Sequence, residues 1–201
     1  MKNVFLLAKK ELLFFLFSPV GYIISGLFVA FVHFFFFSDF FVVGVLTQRG
    51  FFELVPWFSL FLLVGITMRS FAEEQRSNTL EILLTLPLSE EDIVLGKFGG
   101  ALAHYAITLL LTLSIPISFF FLGKPFIPEI VVSYIGLLFF GASLIALGNF
   151  VSLQTKNQVV AMLGTLILST VLLTIGTDSF TRYVPSAVGE LFVYFSPLYH
   201  L

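Results

Sequence analysis

The sequence predicts an all-α integral membrane protein, a bundle of spanning helices with one cytoplasmic helical loop. Three observations carry that prediction. Of 201 residues, 58% are hydrophobic and only 11% charged, where a soluble domain carries about 25% charged residues. The mean hydropathy is +1.05. The charged residues are also spaced to leave several uncharged runs long enough to cross a bilayer, which takes about 20 residues of helix. This composition excludes an ordinary soluble enzyme and a disordered chain. Ten basic against twelve acidic residues give a net charge of −2, which excludes a nucleic-acid partner. There is no Cys for a disulfide scaffold. Five spans would take roughly half the chain and leave only short loops, hence a single membrane domain over 1–201.

Residues 2–17 read as an interfacial helix. Lys2 and Lys9 fall on one side of a 3.6-residue helix, and Val4, Phe5, Leu12, Phe15 and Leu16 fall elsewhere, toward lipid. Ser18-Pro19-Val20-Gly21 supplies a break before the first crossing. The alternative, one tilted span over 5–37, would bury Lys9, Lys10 and Glu11 in hydrocarbon at high cost. A signal peptide does not fit, because charges interrupt the apolar run and no small-residue cleavage site follows. The uncharged runs then place spans at about 19–38, 53–71, 98–122, 129–152 and 158–176. With the N-terminus inside, seven Lys and Arg face the cytoplasm and three face out, the bias that sets orientation. Residues 177–201 then lie outside, with an apolar run from Leu191 suited to a re-entrant or interfacial segment.

The loop over 69–97 concentrates charge: Arg69, Glu73, Glu74, Arg76, Glu81, Glu90, Glu91, Asp92 and Lys97. Ser70 with Glu73 fits a capping box and predicts a helix over about 72–86. Glu74, Asn78, Glu81 and Thr85 form its polar stripe, opposite Leu80, Leu83 and Leu84. Leu86-Pro87 ends it, and Ser89 caps a second helix whose first turn holds Glu90, Glu91 and Asp92 before it runs into the third span. Composition alone leaves a solvated linker and a docking site equally open.

Within the spans, His33 and His104 are candidate functional groups, as any ionisable residue in a membrane is. The commoner alternative is a neutral ring hydrogen-bonded to a neighbouring helix. Gly99, Gly100 and Ala103, with Gly141, Ala142 and Ala146, suit close helix packing. Pro116 predicts a kink in the third span. Trp57, Tyr105 and Tyr134 fit interface or core equally, and the many Phe are expected to face lipid or a subunit interface. No paired Asp, Ser with His, or His-Glu-x-x-His set supports an intramembrane enzyme, and three scattered His make no metal site. Gly96-Lys97 and Gly123-Lys124 are followed by Phe98 and Pro125, so neither is a nucleotide-binding P-loop.

The run from Phe71 to Lys97 resembles the signature of ABC-2-type transporter permeases. The matching positions are Glu73, Glu74, Arg76, Thr79, Glu81, Leu83, Leu84, Pro87, Leu88, Ser89, Val94, Leu95, Gly96 and Lys97. An N-terminal interfacial helix, a coupling helix between spans two and three, and short outer re-entrant helices after span five are further features of that family. Tyr194 to His200, YFSPLYH, is similar to the outer segment of its bacterial gliding-motility branch. The family has six spans, so five here fit either a partial sequence or a protein without the sixth helix; the gap a five-span bundle would leave favours the partial sequence.

The resemblance implies a permease subunit in the bacterial inner membrane that forms a translocation path, usually for export. It implies no enzyme activity and no cofactor in this chain, with ATP bound by a separate ABC ATPase subunit at the cytoplasmic face. It also implies a second permease subunit, either a homodimer mate or a paralogue. Glu73, Glu74, Arg76, Thr79 and Glu81 would meet the ATPase, and Leu83, Leu84 and Pro87 would anchor the coupling helix to the spans. The alternative is a non-transporting scaffold or a channel component.

Overall fold

The computed structural model describes residues 2–43, 49–85, 87–122 and 126–174. Among them the chain is helical throughout, without strands: α1 (Lys2–Phe17), α2 (Pro19–Val43), α3 (Arg49–Thr67), α4 (Ala72–Arg76), α5 (Thr79–Thr85), α6 (Glu90–Leu111), α7 (Ser114–Leu122), α8 (Ile127–Leu153) and α9 (Gln158–Thr174). The outer segment 177–201, with Tyr194 to His200, lies outside the described residues, as does Leu86.

Among the described residues, four stretches are long and apolar enough to cross a membrane: Pro19–Phe41, Gly50–Arg76, Glu90–Phe121 and Ile127–Leu153, with α9 a further apolar helix of 17 residues. They form one bundle. α3 packs against α2, α8 and α9, and α6 packs against α8 and, most extensively, α1.

Only Ser18 separates α1 from α2. Proline at the first helical position starts α2, since its missing N–H would have no partner there. Gly21 lies against the Phe15 carbonyl, where any Cβ would collide. The two helices are therefore distinct, as the charge pattern predicts. The face of α1 corrects the expectation. Phe15 is buried and Leu12 half-buried, while Leu7, Ala8 and Glu11 pack onto Gly96 and Gly100 of α6. Glycines on α6 open a groove into which this side of α1 settles, so Gly99 and Gly100 serve α1 rather than another span.

The third span breaks at Thr112–Leu113, one turn before Pro116. Pro116 has no N–H to give the Thr112 carbonyl, which accepts from Ile115 instead at 3.0 Å. Small residues at other contacts behave unequally. Gly141 sits under the Tyr105 ring and Gly148 against Thr67, whereas Ala146 is exposed.

The phenylalanines also divide. Many face outward, including Phe34, Phe61, Phe121 and Phe139. Others form the core, against expectation: Phe36 meets Phe51 and Phe119 edge-on at 5.9 and 5.7 Å, and Phe52 meets Tyr134 at 5.7 Å. Edge-to-face geometry lets rings fill the space between α2, α3, α7 and α8 with favourable quadrupole contacts. Tyr105 is fully buried with its hydroxyl 3.0 Å from Ser59, Tyr134 pairs with Thr112 at 3.0 Å, and Trp57 is exposed.

Candidate functional site

The charged loop is built differently from one amphipathic helix. Two short helices, α4 and α5, replace it, separated at Ser77–Asn78. Asn78 has φ 57°, in the left-handed region that Asn tolerates better than most residues. The Ser77 hydroxyl donates to the Glu73 carbonyl at 2.8 Å and pairs with Thr79 at 2.8 Å. Such local bonds compete with helix continuation.

The Ser70–Glu73 capping box does not form. The residue flanking α4 is Phe71, with no side-chain cap. Instead, the N–H groups of Phe71 and Ala72 both donate to the Ser152 hydroxyl of α8, each at 3.0 Å. Two of the orphan donors at the start of α4 are thus satisfied from another helix. Gln75 adds a second tie, donating to the Leu153 carbonyl at 2.7 Å. Downstream, the Ser89 cap forms as predicted, as a reciprocal box with Asp92.

Breaking the helix also breaks the predicted polar stripe. Glu74 turns inward while Arg76, Asn78, Thr79, Glu81, Thr85 and Pro87 remain exposed. Leu80, Leu83 and Leu88 pack onto Leu7, Phe71 and Ile93. The side chain of Leu84 is not among those described.

Glu74 meets Lys97, which sequence reasoning placed in the solvated loop. Lys97 is in fact buried, 3% exposed, about two turns into α6. Its ammonium donates to the Ser70 carbonyl at 2.7 Å, to Glu74 Oε1 at 2.8 Å and to Glu11 Oε1 at 3.4 Å. It also stands 5.2 Å from the Phe71 ring centroid, in cation–π range. Three donors meeting three oxygens and an aromatic face offset the cost of desolvating an ammonium.

Beside it, Arg69 forks onto Glu73 through Nε at 2.7 Å and Nη2 at 2.9 Å, and stacks 5.9 Å from Phe14. Lys10, Glu11, Phe14, Arg69, Glu73, Glu74 and Lys97 line a crevice of about 230 Å³ between α1 and the α3–α4 turn. Its three cations and three carboxylates balance.

Of the residues expected to meet the ATPase, Arg76, Thr79 and Glu81 face outward, whereas Glu73 and Glu74 are engaged within the chain; Pro87, expected to pack against the spans, is exposed instead. Lys97 entered only as the last position of the family signature, and Glu11, Arg69, Gln75 and Ser152 carried no expected role. A lysine inside an apolar helix and a lone acid on α1 were the available signals for the first two, and Ser152 offered none.

His33 and His104 lie elsewhere, each bonded to a serine of another helix. His33 Nδ1 donates to the Val29 carbonyl at 2.7 Å, leaving Nε2 to pair with the Ser114 hydroxyl at 2.6 Å. His104 Nε2 pairs with Ser25 at 2.9 Å and its ring packs on Phe15. No group of His, Asp and Glu among the described residues could hold a metal ion.

The family comparison agrees with this architecture. The sequence model of a family described as ABC-2 family transporter protein matches residues 46–201, a stretch that holds α3 to α9 and the whole charged loop. No curated protein matches, and no solved structure matches. A multi-pass helical membrane bundle, a charged loop between its second and third spans, and a family match over most of the chain lead to one conclusion: the chain belongs to the ABC-2 family of transporter proteins, as a membrane permease.

Proposed function

We propose that this chain is the membrane subunit of an ABC exporter, and that the α4–α5 loop receives force from a separate ATPase. The observation that carries the reading is the loop's two-sided construction. Its base is tied to α1, α6 and α8 through Lys97, Ser152 and Gln75. Its apex leaves Arg76, Thr79, Glu81 and Pro87 exposed.

A docking loop needs both properties, an outer face for a partner and a stiff connection to what must move. Exposed charges at such a surface set register and specificity more than raw affinity. Displacement of the loop would tilt α3, α6 and α8 together and open a path between two permease subunits, the two-state element that coupling requires. The excess of Lys and Arg on one side supports a cytoplasmic loop with the N-terminus on the same side, and the family resemblance supports a bacterial inner membrane.

The test is co-purification from native membranes. Full-length protein, wild type against Glu81→Arg, is captured in detergent, and bound ABC ATPase is identified by mass spectrometry from its nucleotide-binding peptide. Capture by wild type, reduced at least tenfold by Glu81→Arg, is expected. No ATPase with either folded protein would sink the reading in favour of a scaffold or channel component.

A further inference from the structure

We infer that Lys97 is a positioning residue that links the docking loop to α1, so that α1 is a moving part of the coupling device rather than a passive membrane anchor. This rests on the function proposed above.

The geometry singles out one ammonium. Lys97 reaches three elements at once: Ser70 in the turn after α3, Glu74 on α4, and Glu11 on α1. All three side chains are largely withdrawn from solvent, with Lys97 at 3%, Glu11 at 12% and Glu74 at 19% exposed. An ion pair screened from water holds its geometry far better than a surface pair.

Among the described residues, Glu73 of α4 is tied to Arg69 in the preceding turn, and the other polar ties from α4 to the bundle helices run to α8, through Ser152 and Gln75. Lys97 is the polar connection from α4 to both α6 and α1. The two carboxylates are held unequally, Glu74 at 2.8 Å and Glu11 at 3.4 Å. The buried Glu74 Oε2 has no hydrogen-bond partner among the described residues. Displacing α4 therefore changes how the single ammonium is shared, and α1 feels that change through Glu11. Lys10, 3.8 Å from Glu11, is mostly exposed, and Arg69 is committed to Glu73, so neither replaces Lys97.

The experiment uses the full-length chain in complex with its captured ABC ATPase in nanodiscs. Amide exchange over residues 2–17 is followed by mass spectrometry with and without ATP and vanadate. Three forms are compared: wild type, Glu11→Leu and Glu11→Gln. Glu11→Leu cuts the link to α1 and leaves Lys97 paired with Glu74. Glu11→Gln keeps an acceptor for Lys97.

In wild type the exchange rate of α1 should change at least twofold with nucleotide. Glu11→Leu should capture as much ATPase and lose that response, and Glu11→Gln should recover part of it. An α1 that ignores nucleotide in wild type overturns the inference, and so does a response that survives in Glu11→Leu. Loss of ATPase capture in Glu11→Leu alone also overturns it, since the group would then serve docking. If wild type captures no ATPase, the proposed function itself fails, a result read before any exchange is measured.

Discussion

A Cβ added to Gly99 of α6 would lie 3.4 Å from the Cβ of Ala8 on α1. The two helices approach this closely because neighbouring positions on α6 are also glycine. At Gly100 an added Cβ would come within 2.9 Å of the Ala8 carbonyl oxygen. α1 is thus seated on α6 almost backbone to backbone.

That spacing suits a disulfide, whose Cβ atoms sit about 3.8 Å apart. The chain has no Cys of its own, so the pair Ala8→Cys with Gly99→Cys stands alone. It should cross-link nearly completely under mild oxidation, read as a reducible gel shift after proteolysis between α1 and α6. Little cross-linking would mean α1 does not rest here.

Ser152 is the acceptor for the first two N–H groups of the loop. Ser152→Ala leaves both buried and unpaired, at about 1–3 kcal/mol. Amide exchange over 71–76 should accelerate strongly while exchange in α2 stays unchanged. Uniform acceleration across the bundle would instead indicate general loss of stability.

Glu73 and Glu74 are adjacent in sequence and opposite in role. Glu73 faces Arg69 at the surface, 42% exposed, and an exposed pair contributes at most about 1 kcal/mol. Glu74 bonds the buried Lys97, and a hydrogen bond to a charged group contributes about 1.5–3 kcal/mol. Glu74→Gln should therefore lower the thermal midpoint in detergent clearly more than Glu73→Gln, and high salt should erase only the Glu73 effect. Equal shifts would show that Lys97 does not discriminate between them.

Two glycines separate tight packing from open surface. Gly141 lies under the Tyr105 ring, and Gly141→Ala should cost about 1–3 kcal/mol by overpacking. Gly26 has nothing within 4 Å of an added Cβ. Gly26→Ala should be neutral, or stabilising by up to about 1 kcal/mol through helix propensity. Thermal unfolding of the two variants side by side checks the contrast.

The membrane class and the helix starts at Pro19 and Ser89 were legible in the sequence. Each depends on local chemistry: uncharged length, a proline with no N–H to satisfy, and a hydroxyl followed by acids. The family, too, was legible in the loop's ordered residues. Four matters were decided only in three dimensions. The loop helix broke at Ser77–Asn78, α1 turned Phe15 inward, a share of the phenylalanines became core, and Glu74 left the docking face for Lys97. The break follows from the local bonds of Ser77, and the other three share one reason. Periodicity tells which side chains share a face of one helix, but not which helix that face will meet. An acid on α1, a lysine on α6 and a serine at the end of α8 are ordinary residues along the chain. They acquire a role only when packing removes water around them and each must find a partner among the others.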